Sequence, residues 1–290
     1  MTLNRKHIGI FAGIAAAVCY GTNPLGALKL YAEGMQTNSV LFYRFGLAWI
    51  IIAIVMLFKK ESLKVTRQEF RALTGLGLLF IISSLTLYTS FHYMAAGVAS
   101  TILFTYPVMT AVIMFVFFHE KVHWATILAL ILSAAGVVLL YWSGDSGKLP
   151  IVGVILVLAS ALSYALYIIL VDRSNLQMSS FKINFYVLIY CTLGMLVYSL
   201  LTSSPLTLPQ TATSWFYVGW LAIVPAILAL VLMVYAAKYV GSTATAILGA
   251  LEPLTAVMIG VLVFGEPFTT NLLSGIVLIL GAMVLVAIKK

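Results

Sequence analysis

Charged residues are scarce in this chain of 290 residues: Asp, Glu, Lys and Arg together make up 8%, whereas hydrophobic residues make up 63%. In a soluble domain roughly a quarter of the residues are charged, so this composition excludes a soluble domain. With a mean hydropathy of +1.12, the chain is predicted to be an integral membrane protein.

The sequence also lacks an ATPase motif, and almost nothing remains outside its apolar segments. This leaves no room for a soluble catalytic or nucleotide-binding domain. Any energy source must therefore be an ion gradient, a substrate gradient or a separate protein.

Residues suited to metal binding or catalysis are few. The two cysteines, Cys19 and Cys191, fall near the middle of apolar segments, where we interpret them as small packing residues rather than a disulfide or metal pair. His92, His119 and His123 fall near segment ends and form no convincing metal set. We therefore predict no metal, no cofactor and no enzymatic activity.

The apolar residues are grouped in segments of about 20, each long enough to cross roughly 30 Å of hydrocarbon as a helix. Ten such spans, numbered 1 to 10 along the chain, are predicted at residues 8–28, 37–58, 72–93, 97–118, 124–142, 150–171, 183–201, 214–237, 242–264 and 270–288. Arg5 and Lys6 before an apolar run would also fit a signal peptide, but nine further spans favour a retained first span. The predicted fold class is an all-α membrane protein.

The net charge of +8 indicates a membrane orientation rather than a nucleic-acid partner. When the loops are assigned alternately to the two sides, most Lys and Arg residues fall on one side, and Lys29 and Lys148 fall on the other. Because basic loops stay in the cytoplasm, both termini are predicted to be cytoplasmic. The expected location is the cytoplasmic (inner) membrane, with the lipid bilayer as partner.

One pattern occurs twice. Ala99-Ser100-Thr101 leads to Pro107 and Glu120, and Ala244-Thr245-Ala246 leads to Pro253 and Glu266, 146 positions later. Two repeats are therefore predicted, at residues 1–145 and 146–290. Five spans in each repeat force the second repeat to be inverted in the membrane, which is typical of secondary transporters.

Prolines and their neighbours mark places where a helix could bend and expose backbone carbonyls to a central cavity. Pro107 and Pro253 lie at the midpoints of spans 4 and 9, Pro225 lies near the middle of span 8, and Asn23-Pro24 lies in span 1. The alternative is that membrane helices simply tolerate these prolines.

Arg44 and Glu252 are the charged side chains predicted well inside spans, where a charge is costly unless it is paired or faces water. Glu252 could bind a substrate ammonium or exchange a proton. It could also belong to a structural ion pair, with Arg44 as a possible partner. For Arg44, a structural role or snorkelling is favoured.

Hydroxyl and aromatic residues complete the predicted substrate site. Tyrosine offers a flat apolar wall with a hydroxyl at its edge, which suits a zwitterion with an apolar side chain. For any one of these residues, packing or interface anchoring is an equal alternative. The candidates are Tyr20, Asn23, Ser84, Tyr88, His92, Thr101, Thr105, Tyr106, Tyr164, Tyr167 and Tyr235.

Together these motifs resemble the drug/metabolite transporter superfamily, and within it the ten-span family built from two EamA repeats. The resemblance rests on Tyr43-Arg44-Phe45 with Ala48, on the two runs ending at Glu120 and Glu266, and on the ten spans. It implies a central cavity lined by spans 1, 3, 4, 6, 8 and 9, alternating access, and export of amino acids or other small metabolites. The carboxylate on which the small multidrug antiporters rely in their first span is absent here, which disfavours a pump for quaternary cations.

The sequence thus predicts a secondary transporter that exports a small polar or amphipathic metabolite, with an amino acid as the first choice and proton coupling possible. The alternatives are an importer of the same fold, an intramembrane enzyme, and a non-transporting membrane sensor or scaffold. A monomer is expected. Spans 5 and 10 are expected to pack closely through small residues, namely Ser133, Gly136, Ser274, Gly275 and Gly281. Glu120 and Glu266 are interpreted as helix-end or loop contacts.

Overall fold

The computed structural model describes residues 2–119, 124–142, 149–174, 176–233, 235–236, 239, 248–249 and 251–288. All secondary structure within these ranges is helical. Seven helices are long and apolar enough to cross a membrane, and three shorter apolar helices bring the number of spans to ten. The prediction of an all-α membrane protein with ten spans is confirmed.

Seven spans are single helices in the described residues. They are spans 2 (Thr37–Phe58), 3 (Arg67–Ser90), 5 (Trp124–Tyr141), 6 (Ile151–Arg173), 7 (Ser180–Leu201), 9 (Leu251–Phe264) and 10 (Thr270–Ile288). Large apolar side chains on their outer faces are exposed, among them Leu57, Phe117, Leu200 and Leu262. These side chains give the bundle the apolar outer surface that a lipid environment requires.

Three spans are interrupted, each at a proline. Span 1 consists of Thr2–Gly21 and Asn23–Ala32, with Pro24 in the first turn of the second helix. Span 4 consists of Ala96–Leu103 and Tyr106–Phe118, with Pro107 in the first turn of the second helix. Span 8 begins as Ala212–Ile223 and passes through a π-helical turn at Val224–Leu228, which contains Pro225.

Span 9 differs because its described helix begins at Leu251, so that Pro253 is its third residue. The predicted first part of this span, including Ala244-Thr245-Ala246, lies outside the described residues. Glu120 and His123 also lie outside them.

Hydrogen bonds between loops define two ends of the bundle. At one end, here called the far end, the loops after spans 1, 3, 7 and 9 meet the neighbouring helix ends. Thr211 Oγ1 donates to Glu33 Oε2 over 2.7 Å, and Asn38 Nδ2 donates to the Ser204 carbonyl over 2.8 Å. Hydrogen bonds from Ser214 and Thr211 lower the pKa of Glu33.

The opposite end, here called the terminal end, joins the loop after span 2 to the start of span 7. Lys182 Nζ donates to the Lys64 carbonyl over 2.7 Å, and the Tyr186 hydroxyl donates to the Leu63 carbonyl over 2.5 Å. Span 1 therefore runs from the terminal end to the far end. Span 6 runs the other way, because it ends where span 7 begins.

The two halves interlock. Span 2 packs on span 7, span 4 on span 9 and span 5 on span 10. The contact of span 3 with span 6 has its counterpart in that of span 8 with span 1. Exchanging the two halves leaves the first three pairs unchanged and turns the contact of spans 3 and 6 into that of spans 8 and 1. This is expected for halves related by a two-fold axis.

Spans 5 and 10 approach closely at two glycines. A Cβ added at Gly136 would lie 3.1 Å from the Gly275 carbonyl oxygen, and one added at Gly275 would lie 2.5 Å from Leu140 Cγ. This confirms the predicted close packing of these spans. Gly281 is an exception, because an added Cβ there would meet nothing within 4 Å, so its backbone is not part of the contact.

Glu266 ties the end of span 9 to the start of span 4, as predicted for a helix-end contact. Its carboxylate accepts hydrogen bonds from the backbone N–H groups of Ala96 (2.8 Å) and Gly97 (3.2 Å), which have no partner within their own helix. The carboxylate lies against Gly260, where an added Cβ would be 2.0 Å from Glu266 Oε2. Burial raises the pKa of Glu266, and the two backbone hydrogen bonds lower it in part.

Candidate functional site

Glu252 lies at the centre of a polar group inside the bundle. It is the second residue of the described helix of span 9 and is half-buried. Its carboxylate interacts electrostatically with Tyr20, Tyr106 and Tyr164, which belong to spans 1, 4 and 6. Four spans from both halves therefore contribute polar groups to one place.

Span 1 reaches this place because Gly21 has no side chain. A Cβ at Gly21 would lie 2.6 Å from the Glu252 carbonyl oxygen and 2.5 Å from Thr255 Cβ. The glycine lets the backbones of spans 1 and 9 touch beside Glu252. This contact brings the neighbouring residue Tyr20 to the carboxylate.

Aromatic rings form a continuous wall on one side of this group. The rings of Tyr106 and Tyr164 meet edge to face with centroids 4.8 Å apart, and those of Tyr164 and Tyr167 stack at 5.9 Å. Phe80 of span 3 extends the wall, with its centroid 5.4 Å from that of Tyr167. Sequence reasoning missed Phe80 because it carries no polar atom. Its spacing of four residues from Ser84 and eight from Tyr88 could have placed it on the same helix face.

The polar groups of this site are available to a ligand. The hydroxyls of Tyr20, Tyr106, Tyr164 and Tyr167 and the carboxylate of Glu252 make no hydrogen bond to the residues that the structure describes. Because tyrosine hydroxyls inside a protein usually find a partner, the arrangement suits a bound solute that carries donors and an apolar body.

A second polar group lies beside the first, towards the far end. The Arg44 guanidinium donates through Nη1 to the Tyr88 hydroxyl, which in turn donates to Asn23 Oδ1 over 3.1 Å. Asn23 Nδ2 donates to the Tyr20 carbonyl over 2.8 Å. Arg44 forms no ion pair with Glu252, and Arg44 Nε has no hydrogen-bond partner. Tyr88 is only 1% exposed, so its hydroxyl is committed to Arg44 and Asn23.

A third group is at the far end itself. Thr37 Oγ1 and His92 Nε2 lie 3.0 Å apart, and the Tyr31 ring stacks on the His92 ring at 4.3 Å. The helix of span 3 ends at Ser90, and His92 N–H closes a turn on the Thr89 carbonyl. His92 therefore lies beyond the helix of span 3, although the predicted span, residues 72–93, included it. Burial lowers the pKa of the His92 imidazole.

The two threonine candidates of span 4 are fully buried. Thr101 Oγ1 donates to the Gly97 carbonyl one turn earlier over 2.9 Å, so its hydroxyl proton is used within its helix. Thr105 lies in the interruption of span 4, is 3% exposed, and its Oγ1 has no partner among the described residues. Thr105 is thus the one of the two whose hydroxyl proton is uncommitted.

Tyr235 of span 8 is exposed. It lines a cavity of about 440 Å³ at the terminal end, together with Lys59, Ser179, Ser180, Phe181, Leu230 and Val231. An adjoining cavity of about 220 Å³ shares Ser180 and Leu230 with it and is lined by Tyr167 as well. These cavities lead from the terminal end to the aromatic wall.

No group of three or more His, Cys, Asp or Glu residues that could hold a metal ion occurs within the described ranges. Cys19 and Cys191 are both free thiols.

Comparison with known proteins assigns the chain to one family along nearly its whole length. The EamA-like transporter family matches residues 7–142 and again residues 151–288. An uncharacterized transporter, YetK, from Bacillus subtilis (strain 168) is 24% identical, over 99% of this chain and 89% of its own length. An uncharacterized transporter from Archaeoglobus fulgidus is 27% identical, over 93% of this chain and 94% of its own length.

A solved crystal structure shares the fold. It superimposes with a TM-score of 0.67 at 17% sequence identity and covers 96% of this chain and 95% of that chain.

Proposed function

This chain belongs to the EamA-like transporter family, and we propose that it is a secondary transporter that exports a small amphipathic metabolite, with apolar amino acids as the first candidates. The observation that carries the proposal is the site around Glu252. There the Glu252 carboxylate and four tyrosine hydroxyls have no described protein partners, and three of these tyrosines, Tyr106, Tyr164 and Tyr167, form the aromatic wall.

The chemistry of this site favours a ligand with an ammonium group. A carboxylate inside a membrane protein is costly unless a cation or water compensates it, and the rings of Tyr106 and Tyr164 offer an apolar surface and a π-face to a cation. Glu252 would bind the ammonium, and the wall would take the apolar side chain. A proton could replace the substrate on Glu252 during the return step, which would couple transport to a proton gradient.

Alternating access is supported by the inverted halves and by the unequal ends. The terminal end has cavities leading to Tyr167, whereas the loops of the far end are joined by hydrogen bonds such as that between Thr211 and Glu33. In the orientation given by the basic residues, the terminal end faces the cytoplasm. The site would then be loaded from the cytoplasm, as an exporter of the inner membrane requires.

The pathway would be complete within one chain, because both halves of the chain supply residues to the site. We accordingly propose a functional monomer. Crosslinking in native membranes should give no stable dimer.

The test is solute efflux from proteoliposomes loaded with a mixed pool of amino acids and other metabolites, with and without a pH gradient, measured by mass spectrometry. Proteoliposomes with the wild type should release a subset of solutes faster than loaded liposomes without protein, and Glu252→Gln should lose that release. Glu69→Gln is a matched control, because Glu69 caps the exposed start of span 3 and glutamine serves equally in a capping box. Folded wild type that releases no solute, or a Glu252→Gln variant equal to wild type, would contradict the proposal.

A further inference from the structure

Arg44 is a buried cation without an anionic partner. The residue is 7% exposed, its Nη1 donates to the neutral Tyr88 hydroxyl, and its Nε has no partner. No Asp or Glu among the described residues pairs with it. The guanidinium lies over the rings of Phe45 and Tyr88, 5.5 Å and 5.2 Å from their centroids, so π-faces compensate part of its charge. A buried charge without a counter-ion is still unfavourable, which leaves Arg44 suited to bind an anion.

The fold itself does not need a cation at this position. The equivalent residue in the second half, 146 positions later, is Tyr190, and its hydroxyl accepts a hydrogen bond from Thr74 Oγ1 over 2.9 Å. A neutral side chain therefore stands at the equivalent sequence position of span 7, where it contacts span 3. The charge of Arg44 calls for a reason other than packing.

The position of Arg44 fits a ligand that also contacts Glu252. Tyr20 is within electrostatic range of both Arg44 and Glu252, so both charges lie near this residue. Asn23 links the two groups, because it bonds both to the Tyr88 hydroxyl and to the Tyr20 carbonyl. Arg44 thus lies on the far-end side of the Glu252 group, on the way out of the site.

We propose that Arg44 binds the carboxylate of the substrate, while Glu252 binds its ammonium, so that the transporter selects zwitterions. A guanidinium is suited to this task, because its N–H groups can donate in parallel to one carboxylate. Arg44 Nη1 donates to the Tyr88 hydroxyl and Nε is buried without a partner, so a carboxylate would approach through Nη2. This inference rests on the proposed function and narrows its substrate class to amino acids with an apolar side chain, which the wall of Tyr106, Tyr164 and Phe80 would receive.

Three probes of one shape separate the two charges: phenylalanine, phenethylamine, which lacks the carboxylate, and 3-phenylpropionate, which lacks the ammonium. Affinities are measured by ligand-dependent thermal shift of the purified full chain and by competition against radiolabelled phenylalanine. Wild type should bind phenylalanine about 10- to 100-fold more tightly than phenethylamine, because one charge-assisted hydrogen-bonded pair changes the affinity by about that factor.

The variants assign that preference to Arg44. Arg44→Gln should weaken phenylalanine binding by about 10- to 100-fold and change phenethylamine binding by less than about twofold. Glu252→Gln should weaken phenylalanine and phenethylamine and leave 3-phenylpropionate unchanged. Tyr190→Phe, at the equivalent position of the other half, should leave all three affinities unchanged.

Equal losses of phenylalanine and phenethylamine in Arg44→Gln, or no loss of either, would overturn the inference. If Arg44→Gln does not fold, the wild-type ratio of phenylalanine to phenethylamine decides, and a ratio near one overturns it. Folded wild type that binds no phenylalanine also overturns it. None of these results by itself contradicts the proposed function, which the efflux of the mixed pool from wild type and Glu252→Gln tests separately.

Discussion

The first half of the molecule holds an intramembrane cation, the second half holds an intramembrane anion, and neither charge is repeated in the other half. The counterpart of Arg44 is Tyr190, and the counterpart of Glu252 is Tyr106. The repeated features, such as the pairing of spans 2 with 7 and 4 with 9, build the frame. A frame built from two equivalent halves does not distinguish its two ends. The charges that occur in only one half, Arg44 and Glu252, therefore make the site asymmetric.

The largest effect is expected where this asymmetry is removed at the site. Glu252→Gln should lower substrate efflux from proteoliposomes by about 100-fold, because a charged contact to the substrate is lost. Tyr106→Phe, at the equivalent position, removes one neutral hydroxyl worth roughly 0.5–1.5 kcal/mol and should lower efflux by less than about tenfold. Comparable losses in the two variants would mean that the halves contribute equally, against the comparison drawn above.

Glycine positions test the contact that brings the two halves together. Gly21→Ala should destabilise the protein by about 3 kcal/mol, the upper end for an overpacked core, because the new Cβ would lie 2.6 Å from the Glu252 carbonyl oxygen. The equivalent residue of span 6, 144 positions later because spans 1 and 6 align at that offset, is already alanine, Ala165, and is fully buried. Thermal unfolding in detergent measures the effect.

Gly219→Ala is the matched control, since an added Cβ there would meet nothing within 4 Å. It should be neutral or slightly stabilising in its helix. A Gly21→Ala variant as stable as this control would show that spans 1 and 9 do not touch at Glu252.

Much of this architecture could be predicted from sequence. Hydrophobic length gave the spans, because each apolar helix must cross the same thickness of lipid. Prolines 24, 107 and 225 coincide with the interruptions of spans 1, 4 and 8. Glu266 was assigned a helix-end contact because its place in the repeat is at the end of a span.

The contacts of the site were harder to predict, because they join spans that are distant in the chain. Nothing local to Arg44 indicates that Tyr88 is its partner or that Glu252 is not. Phe80 was not predicted, because its place in the aromatic wall depends on its contact with the Tyr167 ring of span 6. His92 was placed on a helix that ends two residues earlier, since no proline or glycine signals the end. The roles of these residues in transport stay predictions.

The ends of spans 4 and 9 offer a pair of substitutions with opposite signs. Both helices are followed by a residue with positive φ, His119 at 54° and Gly265 at 67°, 146 positions apart. Gly265→Ala should destabilise the protein by about 1 kcal/mol, because a side chain is unfavourable in this conformation. His119→Gly should stabilise it by about 0.5 kcal/mol, since relief of that strain exceeds the greater entropy of glycine in the unfolded chain.

Thermal unfolding of both variants in the same detergent checks these signs. Shifts in the same direction would mean that the two turns are not equivalent and that one end of the repeat is built differently.

The smallest effect expected is the acid response of the far end, which also distinguishes the halves. His92 belongs to the first half and contacts Thr37 and Tyr31, which are both neutral. Burial lowers its pKa in the folded protein below the unfolded value of about 6.5. The unfolded chain then binds more protons, so the contribution of His92 to stability is present above pH 6.5 and is lost as the pH falls through the folded pKa.

His92→Gln should therefore show a smaller drop in Tm between pH 7 and pH 5 than wild type. Glu33, whose pKa is lowered, loses its contribution only at lower pH, and Glu266, whose pKa is raised, responds with the opposite sign. Equal drops in wild type and His92→Gln would therefore assign the acid response to groups other than His92.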